Sequence, residues 1–434
     1  MLDVAFWFFY LLAPVVVWLL LRVAGENINK ISILNVVTVS IYAFSVLGLF
    51  PLFYKLDQYR VYTGVTNQKL VFIVLLCSFT AIVCFLLGAV FIRRAMGLKP
   101  YPIVSSEIKP LERMNFAALM VALGCVVVVL ALYLMKVEHI ALFVAIKDGA
   151  EAAAIARSEM GNNFPKYHRY GLIMHDLGVV VTLSFFTLWL LKKDLVRLAL
   201  FSVAFVVSAF IAVMATEKAP LVWLFVGMFM VYYVVRKDGV VPKRDVALLG
   251  LCIVIILFVF NVYFMGSDYP LMSVFSRAFA GSISPAYFYL EYVPYVRDFY
   301  WFTTFPNPGG FLPYESARYT VEIMNWKFPE NMEKGIVGSM PTVFWGEAYL
   351  NFGFLGVPVV AFIMGCFVAV VSFLVSRLEL NAISIAFAVW VMLHLKSLGV
   401  TGFSGFLCDF YMISIGVMVF IMLFVALRFK LRRR

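Results

Sequence analysis

Long apolar runs recur along the whole chain, and they constrain the fold more than any other feature. A helix needs about 20 residues to cross roughly 30 Å of hydrocarbon, and about eleven runs reach that length. The runs are continuously apolar, as from Ile253 to Phe260, rather than alternating. They therefore predict helices and not the strands of a membrane barrel. The spans are expected at 2–22, 31–53, 70–92, 114–135, 171–191, 195–215, 219–235, 246–265, 344–375, 381–396 and 409–427.

The composition excludes a soluble globular protein. Hydrophobic residues make up 64% of the chain and charged residues 14%, whereas soluble proteins are about half apolar. We therefore expect an all-α, polytopic integral membrane protein in which residues 1–434 form a single transmembrane domain, since no internal repeat or low-complexity segment divides it. Asp3 precedes the first run without any Lys or Arg, so this run is expected to be a retained helix rather than a signal peptide.

Basic residues predict the orientation of the spans, because Lys and Arg concentrate in short cytoplasmic loops. Four clusters of basic residues occur along this chain. Placing all four on the cytoplasmic side puts the N-terminus in the periplasm and the C-terminus in the cytoplasm. It also places the polar segments 136–170 and 266–343 outside, as two long periplasmic loops. Most of the +11 net charge lies in the clusters, so nucleic acid is not an expected partner. The clusters are Arg93, Arg94, Lys99, Lys109 and Arg113; Lys192, Lys193 and Arg197; Arg236, Lys237, Lys243 and Arg244; and the tail from Arg428.

The sequence lacks the motifs that several kinds of chemistry require. The six cysteines lie within or at the edge of apolar spans, which indicates neither a disulfide framework nor a metal site. The chain has no His-Glu-x-x-His, no Asp-x-Asp and no glycine-rich phosphate loop. A zinc protease and a nucleotide-driven pump are therefore disfavoured, and neither a metal nor a cofactor is expected.

The first long loop contains signals for a short helix. Asp148-Gly149-Ala150-Glu151 fits a capping box, an Ala-rich run follows to Met160, and Gly161 marks a stop. This helix would carry Arg157. His168 and Arg169 then lead into the fifth span, which contains His175-Asp176 near its start.

The large loop is predicted to form helical pieces: 271–288 interrupted near Pro285, a break at 306–310, and a helix from 314 to 326 ended by Pro329 and Gly335. It is rich in Tyr and Trp. Such residues suit the stacking of sugar rings, and they also form the ordinary aromatic belt at a membrane interface.

A set of cations is expected on the outer face. Arginine binds phosphate oxygens in pairs and keeps its charge near lipid, so several arginines could hold a pyrophosphate without magnesium; alternatively, each is an interfacial residue. Lys218 lies in a tight turn next to Glu217, where it either pairs with that carboxylate or faces a lipid phosphate. The set is Arg157, Lys166, Arg169, Lys218, Arg277, Arg297 and Arg318.

Glu347 places a carboxylate at the mouth of the ninth span. An ionisable group at that depth is costly unless it faces protein or water. It is either a structural anchor or a general base that takes a proton from a sugar hydroxyl. His168 and His175 are weaker candidates for the base, and His139 and His394 are expected to be packing or interface residues.

The architecture and three local sequences resemble the Wzy-type O-antigen polymerases, which are oligosaccharide repeat unit polymerases of bacterial envelopes. The local sequences are Ala156-Arg157-Ser158-Glu159, Thr216-Glu217-Lys218, and the stretch from Glu347 to Gly353 with Gly356. The resemblance implies a GT-C-like, metal-independent glycosyltransferase of the bacterial inner membrane. Such an enzyme transfers a growing glycan from undecaprenyl pyrophosphate to the non-reducing end of a new lipid-linked repeat unit, and a chain-length regulator is a further possible partner.

On this resemblance, specific roles are expected for named residues. Glu347 or His168 would deprotonate the acceptor hydroxyl. A set of cations would bind the pyrophosphate or the glycan, and inversion at the anomeric carbon is the simplest outcome. The binding set is Arg157, Arg169, Lys218, Arg277 and Arg318.

Two alternatives belong to other classes. A flippase for lipid-linked oligosaccharides would show repeated halves and charges within its spans, and neither is evident in the sequence. An O-antigen ligase has a similar architecture, but ligases typically depend on a His in the large outer loop. No His occurs between Gly266 and Val343.

Overall fold

The computed structural model describes residues 1–97, 108–161, 164–217, 219–265, 274–330, 338–407 and 409–432. Within these ranges the side chains at 150, 151, 154, 260–265, 308 and 425–432 are not described. The described residues form helices joined by turns. Their only strand-type pairing is an isolated bridge between Lys30 and Val240. The predicted all-α class is confirmed for this part of the chain.

The described part contains ten helices long and apolar enough to cross a membrane, which is the architecture of a multi-pass membrane protein. A further helix, α8, covers the remaining predicted span at 246–265 but is not among the ten. In chain order the helices are α1 (Leu2–Val23), α2 (Ile33–Phe53), α3 (Gln68–Ala95), α4 (Arg113–Leu134), α5 (Tyr167–Leu191), α6 (Leu195–Val213), α7 (Ala219–Arg236), α8 (Lys243–Met265), α9 (Phe344–Ser376), α10 (Ala382–Gly399) and α11 (Ser404–Phe424).

Polar caps extend some helices beyond their apolar runs. Hydropathy places the third span at 70–92, but α3 begins at Gln68 because the Asn67 side chain accepts hydrogen bonds from the next backbone N–H groups. Asn381 and Ser384 form a reciprocal capping box at the start of α10. The caps therefore fix where these helices begin.

The α3 and α9 backbones are in direct contact. A Cβ at Gly365 would lie 1.8 Å from the carbonyl oxygen of Phe85, and one at Gly88 would lie 2.0 Å from that of Phe362. Neither distance leaves room for a methyl group. Small residues allow membrane helices to approach closely, so these two glycines determine the spacing of the pair.

The segments that link consecutive helices fall into two groups according to their contacts with one another. At one end of the bundle, Ile31 N donates to Gly239 O, and Lys109 N donates to Leu380 O. At the other end, which we call the long-loop end, Leu142 N donates to Met214 O. Ser276 Oγ donates to Asp57 Oδ2, and Ser404 Oγ donates to Thr304 O, which joins the segments 54–67 and 400–409 to 274–343. The alternation of the spans places these three segments at the same end as 135–166 and 214–217.

A buried ion pair lies at the opposite end. Arg93, one of the basic residues used to orient the chain, contacts the Glu26 carboxylate and also donates to Ala24 O at 2.8 Å. Both charged side chains are buried. Arg93 is therefore neutralised inside the protein, while its neighbour Arg94 is exposed.

The helix expected in the first long loop is present as Ala150–Met160, behind a second helix at Ala141–Asp148. Its start differs from the expected capping box. Gly149, at φ 90°, is the N-cap residue and makes no side-chain cap bond, and Asp148 instead ends the preceding helix. The Gly161 stop is confirmed, because its N–H bonds to Arg157 O and Ser158 O.

The large loop departs from prediction at two points. Pro285 lies inside a continuous helix, Gly281–Tyr292, which follows a π turn at Ser276–Ala280. The later helix is Tyr319–Lys327, which begins after the predicted residue 314. The expected break at 306–310 contains a short 3-10 turn, Pro308–Gly310, with Gly309 at positive φ. Gly335 lies outside the described residues.

Candidate functional site

A polar cavity of about 400 Å³ opens at the long-loop end, between α5, α6, α7 and α10. We call it the polar cavity. Helices predicted from apolar runs are expected to form apolar cavity walls. Several ionisable side chains nevertheless line the polar cavity. They are Tyr167, His175, Asp176, Glu217 and His394, alongside the indole rings of Trp223 and Trp390.

A π turn brings α5 side chains into the cavity wall. The turn covers Leu172–Leu177 and contains His175 and Asp176. Such bulges are frequent at functional sites, because the extra residue re-aims the side chains around it. His175 Nε2 lies 3.1 Å from the Tyr167 hydroxyl, and Asp176 Oδ1 accepts a hydrogen bond from Trp390 Nε1 at 3.1 Å.

His394 and Asp409 form a hydrogen-bonded dyad at the cavity. His394 lies on α10, four residues after Trp390, and its ring stacks on the indole with centroids 5.0 Å apart. Its Nε2 contacts Asp409 Oδ2. The other Asp409 oxygen accepts from the backbone N–H groups of Tyr411 and Met412, at 2.9 and 3.0 Å. Asp409 therefore caps the main segment of α11, which begins at Phe410, while it orients the imidazole.

This arrangement assigns the imidazole tautomer. A carboxylate facing Nε2 places the proton on that nitrogen and leaves Nδ1 as a proton acceptor. A histidine oriented in this way by a carboxylate is the usual arrangement of a general base in hydrolases and transferases. The dyad can accept a proton from a hydroxyl group placed against Nδ1.

A buried lysine lies behind one cavity wall. Lys396 is 9% exposed, and its Nζ is 3.8 Å from the centroid of the Trp223 ring. It has no salt bridge among the described residues, and its backbone carbonyl accepts from Ser40 Oγ. The cation therefore contributes positive potential near the cavity without a neutralising carboxylate in contact.

Glu347 occupies a second, closed cluster. The side chain is 1% exposed, and its Oε2 accepts from Ser404 N at 3.0 Å, while Oε1 is buried without a hydrogen-bond partner in the described part. A Cβ on Gly402 would lie 2.2 Å from Oε2 and 2.3 Å from the Tyr319 hydroxyl. The carboxylate thus fastens the link between α10 and α11 to α9 and the large loop.

Tyrosines around Glu347 keep their protons. Burial, and then the nearby Glu347 carboxylate, raise the pKa of Tyr289 and of Tyr319 well above its ordinary value. The Tyr289 hydroxyl donates to Met340 O at 2.6 Å. These phenols are therefore neutral hydrogen-bond donors at neutral pH.

A third cluster holds Arg297 in place. The Arg297 guanidinium contacts Glu322 and lies over the Tyr300 ring at 4.3 Å. Tyr292 and Tyr300 donate to the two Glu322 oxygens at 2.8 and 2.9 Å. Burial alone would raise the pKa of Glu322, but the bonds from these three partners outweigh it and lower the pKa. Arg297 is thus a structural cation of the large loop.

The cations predicted to bind substrate lie on separate elements of the described part of the chain. Arg157, Arg169 and Arg318 are exposed, on or next to three different helices, and make no salt bridge among the described residues. Arg277 is exposed near Arg60, on the side of α2 and α3. Lys218 lies outside the described residues, directly after Glu217 of the polar cavity.

His168, the other candidate base, is exposed on the short helix Tyr167–Gly171 with Arg169. This helix leads directly into the π turn, so both residues adjoin the polar cavity along the chain. Glu347 does not line the cavity. The two catalytic candidates chosen from the sequence therefore occupy different surroundings.

Sequence reasoning missed the dyad and the buried lysine. His394, expected to pack or lie at an interface, does stack on Trp390, but its bond to Asp409 depends on a tertiary contact. The available signals were an Asp directly before the last apolar run, where a helix cap belongs, and His394 one helical turn after Trp390. Among the described residues, no group of three or more His, Cys, Asp or Glu is placed to hold a metal ion.

Comparison with protein-family models, with curated proteins and with solved structures found no match to this chain. The resemblance to the O-antigen polymerases therefore rests on the residues quoted for it.

Proposed function

We propose that this chain is a membrane glycosyltransferase that polymerises lipid-linked oligosaccharide repeat units at its long-loop end. The observation that carries the proposal is the His394–Asp409 dyad at the wall of the polar cavity. A transferase that joins two lipid-linked sugars needs a base at membrane level, next to a space that admits polar groups. The polar cavity offers both.

The proposed reaction transfers a glycan from its lipid carrier to an acceptor sugar. The acceptor hydroxyl attacks the anomeric carbon of the donor glycan, its proton moves to His394 Nδ1, and the bond between that carbon and the pyrophosphate oxygen breaks. The lipid pyrophosphate leaves with the bonding electron pair. Attack from the face opposite the leaving group inverts the anomeric configuration.

Positive groups near the cavity suit a pyrophosphate leaving group. Lys396 lies behind Trp223, Arg169 adjoins the π turn along the chain, and Lys218 follows Glu217 in the sequence. Fixed cations stabilise negative charge as it develops on the departing oxygen. In this proposal Arg157 and Arg318 contact the glycan or its phosphates at the exposed surface of the loops.

Glu347 has a positioning role in this proposal. A base must touch the hydroxyl that it deprotonates, and a side chain that is 1% exposed and bonded to Ser404 is closed to a sugar. The link that it holds leads from α10, which carries His394, to Asp409. Glu347 thus supports the dyad from behind, and His168 is left as a surface residue beside the site.

The proposal places the protein in the bacterial inner membrane, with the long-loop end and the N-terminus in the periplasm and the C-terminus in the cytoplasm. The substrates are glycans on undecaprenyl pyrophosphate, and a chain-length regulator is the expected protein partner. Transport is the second candidate function. Ionisable residues inside spans often line a substrate path, and the polar cavity gathers His175, Asp176 and His394.

A genetic experiment separates these functions. A strain lacking the gene is complemented with the wild type or with His394→Gln, and its envelope glycans are compared on a gel. For a polymerase, the ladder collapses to core plus one repeat in the deletion and in His394→Gln. Loss of every band with accumulation of lipid-linked single units would indicate a flippase, accumulation of lipid-linked polymer would indicate a ligase, and a full ladder in the deletion would refute all three.

A further inference from the structure

Another cavity, of about 740 Å³, opens at the end of the bundle opposite the polar cavity. It lies between the end of α1, the link from α1 to α2, and the start of α8. We call it the basic cavity, because its wall includes the cations Arg22 and Lys243 beside the indole ring of Trp18. The other residues of the wall are Glu26, Asn27, Ile28 and Asn29.

Backbone hydrogen bonds between two links hold the walls of the basic cavity together. Val241 N donates to Asn29 O at 2.8 Å, and Ile31 N donates to Gly239 O at 2.9 Å. These bonds join the link that follows α1 to the link that precedes α8. The cation at the end of α1 and the cation at the start of α8 thus line the same cavity, although they are far apart in the chain.

The Arg22 guanidinium is held in place by an aromatic ring. Its central carbon lies 4.2 Å from the centroid of the Trp18 ring, which is one helical turn earlier on α1. A cation–π contact uses the flat face of the guanidinium. The N–H donors lie at the edge of that plane, so the stacking leaves them available for the oxygens of an anion.

The carboxylate in the wall of the basic cavity already has a cationic partner. Glu26 is buried and forms an ion pair with Arg93 of α3. Arg22 and Lys243 are exposed, and neither takes part in a salt bridge among the described residues. Because Arg93 offsets the charge of Glu26, the other two cations give the cavity a positive potential.

Exposed apolar side chains lie beside the basic cavity. Trp18, Leu19 and Val23 are exposed on the last turns of α1, and Ile28 is exposed in the link. α1 is long and apolar enough to cross a membrane, and it ends at Val23. Arg22 is therefore placed at the boundary between hydrocarbon and water, where Trp and Arg side chains commonly anchor a helix. A ligand with a charged head and an apolar tail fits these surroundings.

We propose that the basic cavity binds the phosphate of an anionic phospholipid. The Arg22 fork offers N–H donors to the phosphate oxygens, and Lys243 adds a point charge to the same group. Basic pockets between membrane helices bind lipid headgroups in this way. The acyl chains lie along the exposed apolar side chains at the end of α1. This site lies at the opposite end of the bundle from the polar cavity and does not depend on the transferase proposal.

Native mass spectrometry of the purified full-length chain in detergent tests this site through the affinity for the first bound lipid. The probes are dioleoyl phosphatidylglycerol, dioleoylglycerol, which lacks the phosphate, and glycerophosphoglycerol, which lacks the acyl chains. We expect Arg22→Gln and Lys243→Gln each to weaken the binding of phosphatidylglycerol about tenfold, which is about 1.4 kcal/mol.

Two matched control variants are available at the same end of the bundle. Arg94→Gln and Lys237→Gln each remove one exposed charge of the same kind, from residues that do not line the basic cavity. Both should bind phosphatidylglycerol as tightly as the wild type. Weakening in these controls equal to that in Arg22→Gln and Lys243→Gln would show a diffuse attraction instead of a site, and would overturn the proposal.

Three further results would also contradict the proposal. Wild-type affinity in either Arg22→Gln or Lys243→Gln would overturn it, and both variants change exposed side chains, so folding does not limit the test. Dioleoylglycerol binding as tightly as phosphatidylglycerol would exclude the phosphate as the recognised group. Glycerophosphoglycerol binding as tightly would assign the cavity to a soluble phosphate ester instead of a lipid.

Discussion

Asp409 uses one carboxylate oxygen to cap the main segment of α11 and the other to hold the His394 imidazole. One side chain thus joins the start of the last helix to the ring that we propose as the base. The orientation of His394 is therefore fixed by backbone geometry as well as by its stacking on Trp390.

Substitutions of His394 and Asp409 separate the two roles of the dyad, which are proton acceptance and capping of α11. His394→Gln should lower the rate of glycan transfer by about 10²- to 10⁴-fold, the usual contribution of a general base. Asp409→Asn keeps an oxygen for the helix cap but loses the carboxylate, so it should lower the rate without lowering the melting temperature. The assay measures polymer formed from purified lipid-linked repeat units. His139→Gln, an exposed histidine, is the control, and an unchanged rate in His394→Gln would exclude the base role.

Two substitutions at Glu347 test whether its carboxylate is a structural anchor or a general base. Glu347→Ala leaves the buried N–H of Ser404 unpaired and should cost about 1 to 3 kcal/mol of stability. Glu347→Gln keeps an acceptor for that N–H, so stability and transfer rate should both stay near those of the wild type. Thermal unfolding in detergent and the transfer assay measure the two effects. A stable Glu347→Gln variant without activity would return the base role to Glu347.

The Glu322 cluster predicts a pH dependence of stability. The pKa of Glu322 is lowered in the folded chain by its bonds from Arg297, Tyr292 and Tyr300, despite burial. Its contribution is therefore fully present above the unfolded pKa of about 4.3 and is lost as the pH falls through the lower folded value.

The melting temperature of the wild type, measured from pH 7 down to pH 3, should contain this acid-induced loss. Arg297→Gln removes the main ionic partner and should flatten the dependence while lowering stability at pH 7. Glu322→Gln should abolish this contribution altogether. A wild-type pH profile in both variants would show that the cluster does not contribute.

The contact between α3 and α9 predicts a large loss of stability when Gly365 is replaced. Gly365→Ala puts a methyl group into the Phe85 backbone, which cannot rotate away, so the loss should reach or exceed the roughly 1 to 3 kcal/mol typical of overpacking. In Gly124→Ala, the control, the new Cβ meets nothing within 4 Å. That change should be neutral or stabilising, because Ala favours helix over Gly by about 1 kcal/mol. Thermal unfolding compares the two, and equal melting temperatures would contradict the close contact.

The membrane-spanning helices could be predicted from the sequence, because the length of an apolar run is enough to identify a span. α1 and α9 begin at the predicted residues, Leu2 and Phe344. Helix ends in the loops were less predictable, because they depend on local bonds. Gly149, rather than the expected capping box, begins the helix that carries Arg157, and Pro285 is accommodated within a helix that follows a π turn.

The candidate site was harder to predict, because its residues are far apart in the chain. His175 and Glu347 stood out as polar groups near spans. Nothing local pairs Asp176 with Trp390 across 214 positions, or brings Arg22 and Lys243 to one cavity. These relationships arise from helix packing, which one sequence does not encode in its local pattern.

The proposed orientation gives Arg93 two roles, one during membrane insertion and one in the folded protein. In the proposed orientation this end of α3 lies in the cytoplasm, and Arg93 acts with Arg94 as the signal that retains it there during insertion, because carboxylates contribute little to orientation. Once α1 and α3 pack, Glu26 and the Ala24 carbonyl surround the same guanidinium. If that orientation holds, a residue that first directs insertion becomes half of a buried ion pair, and replacing it should disturb biogenesis and folded stability by separate routes.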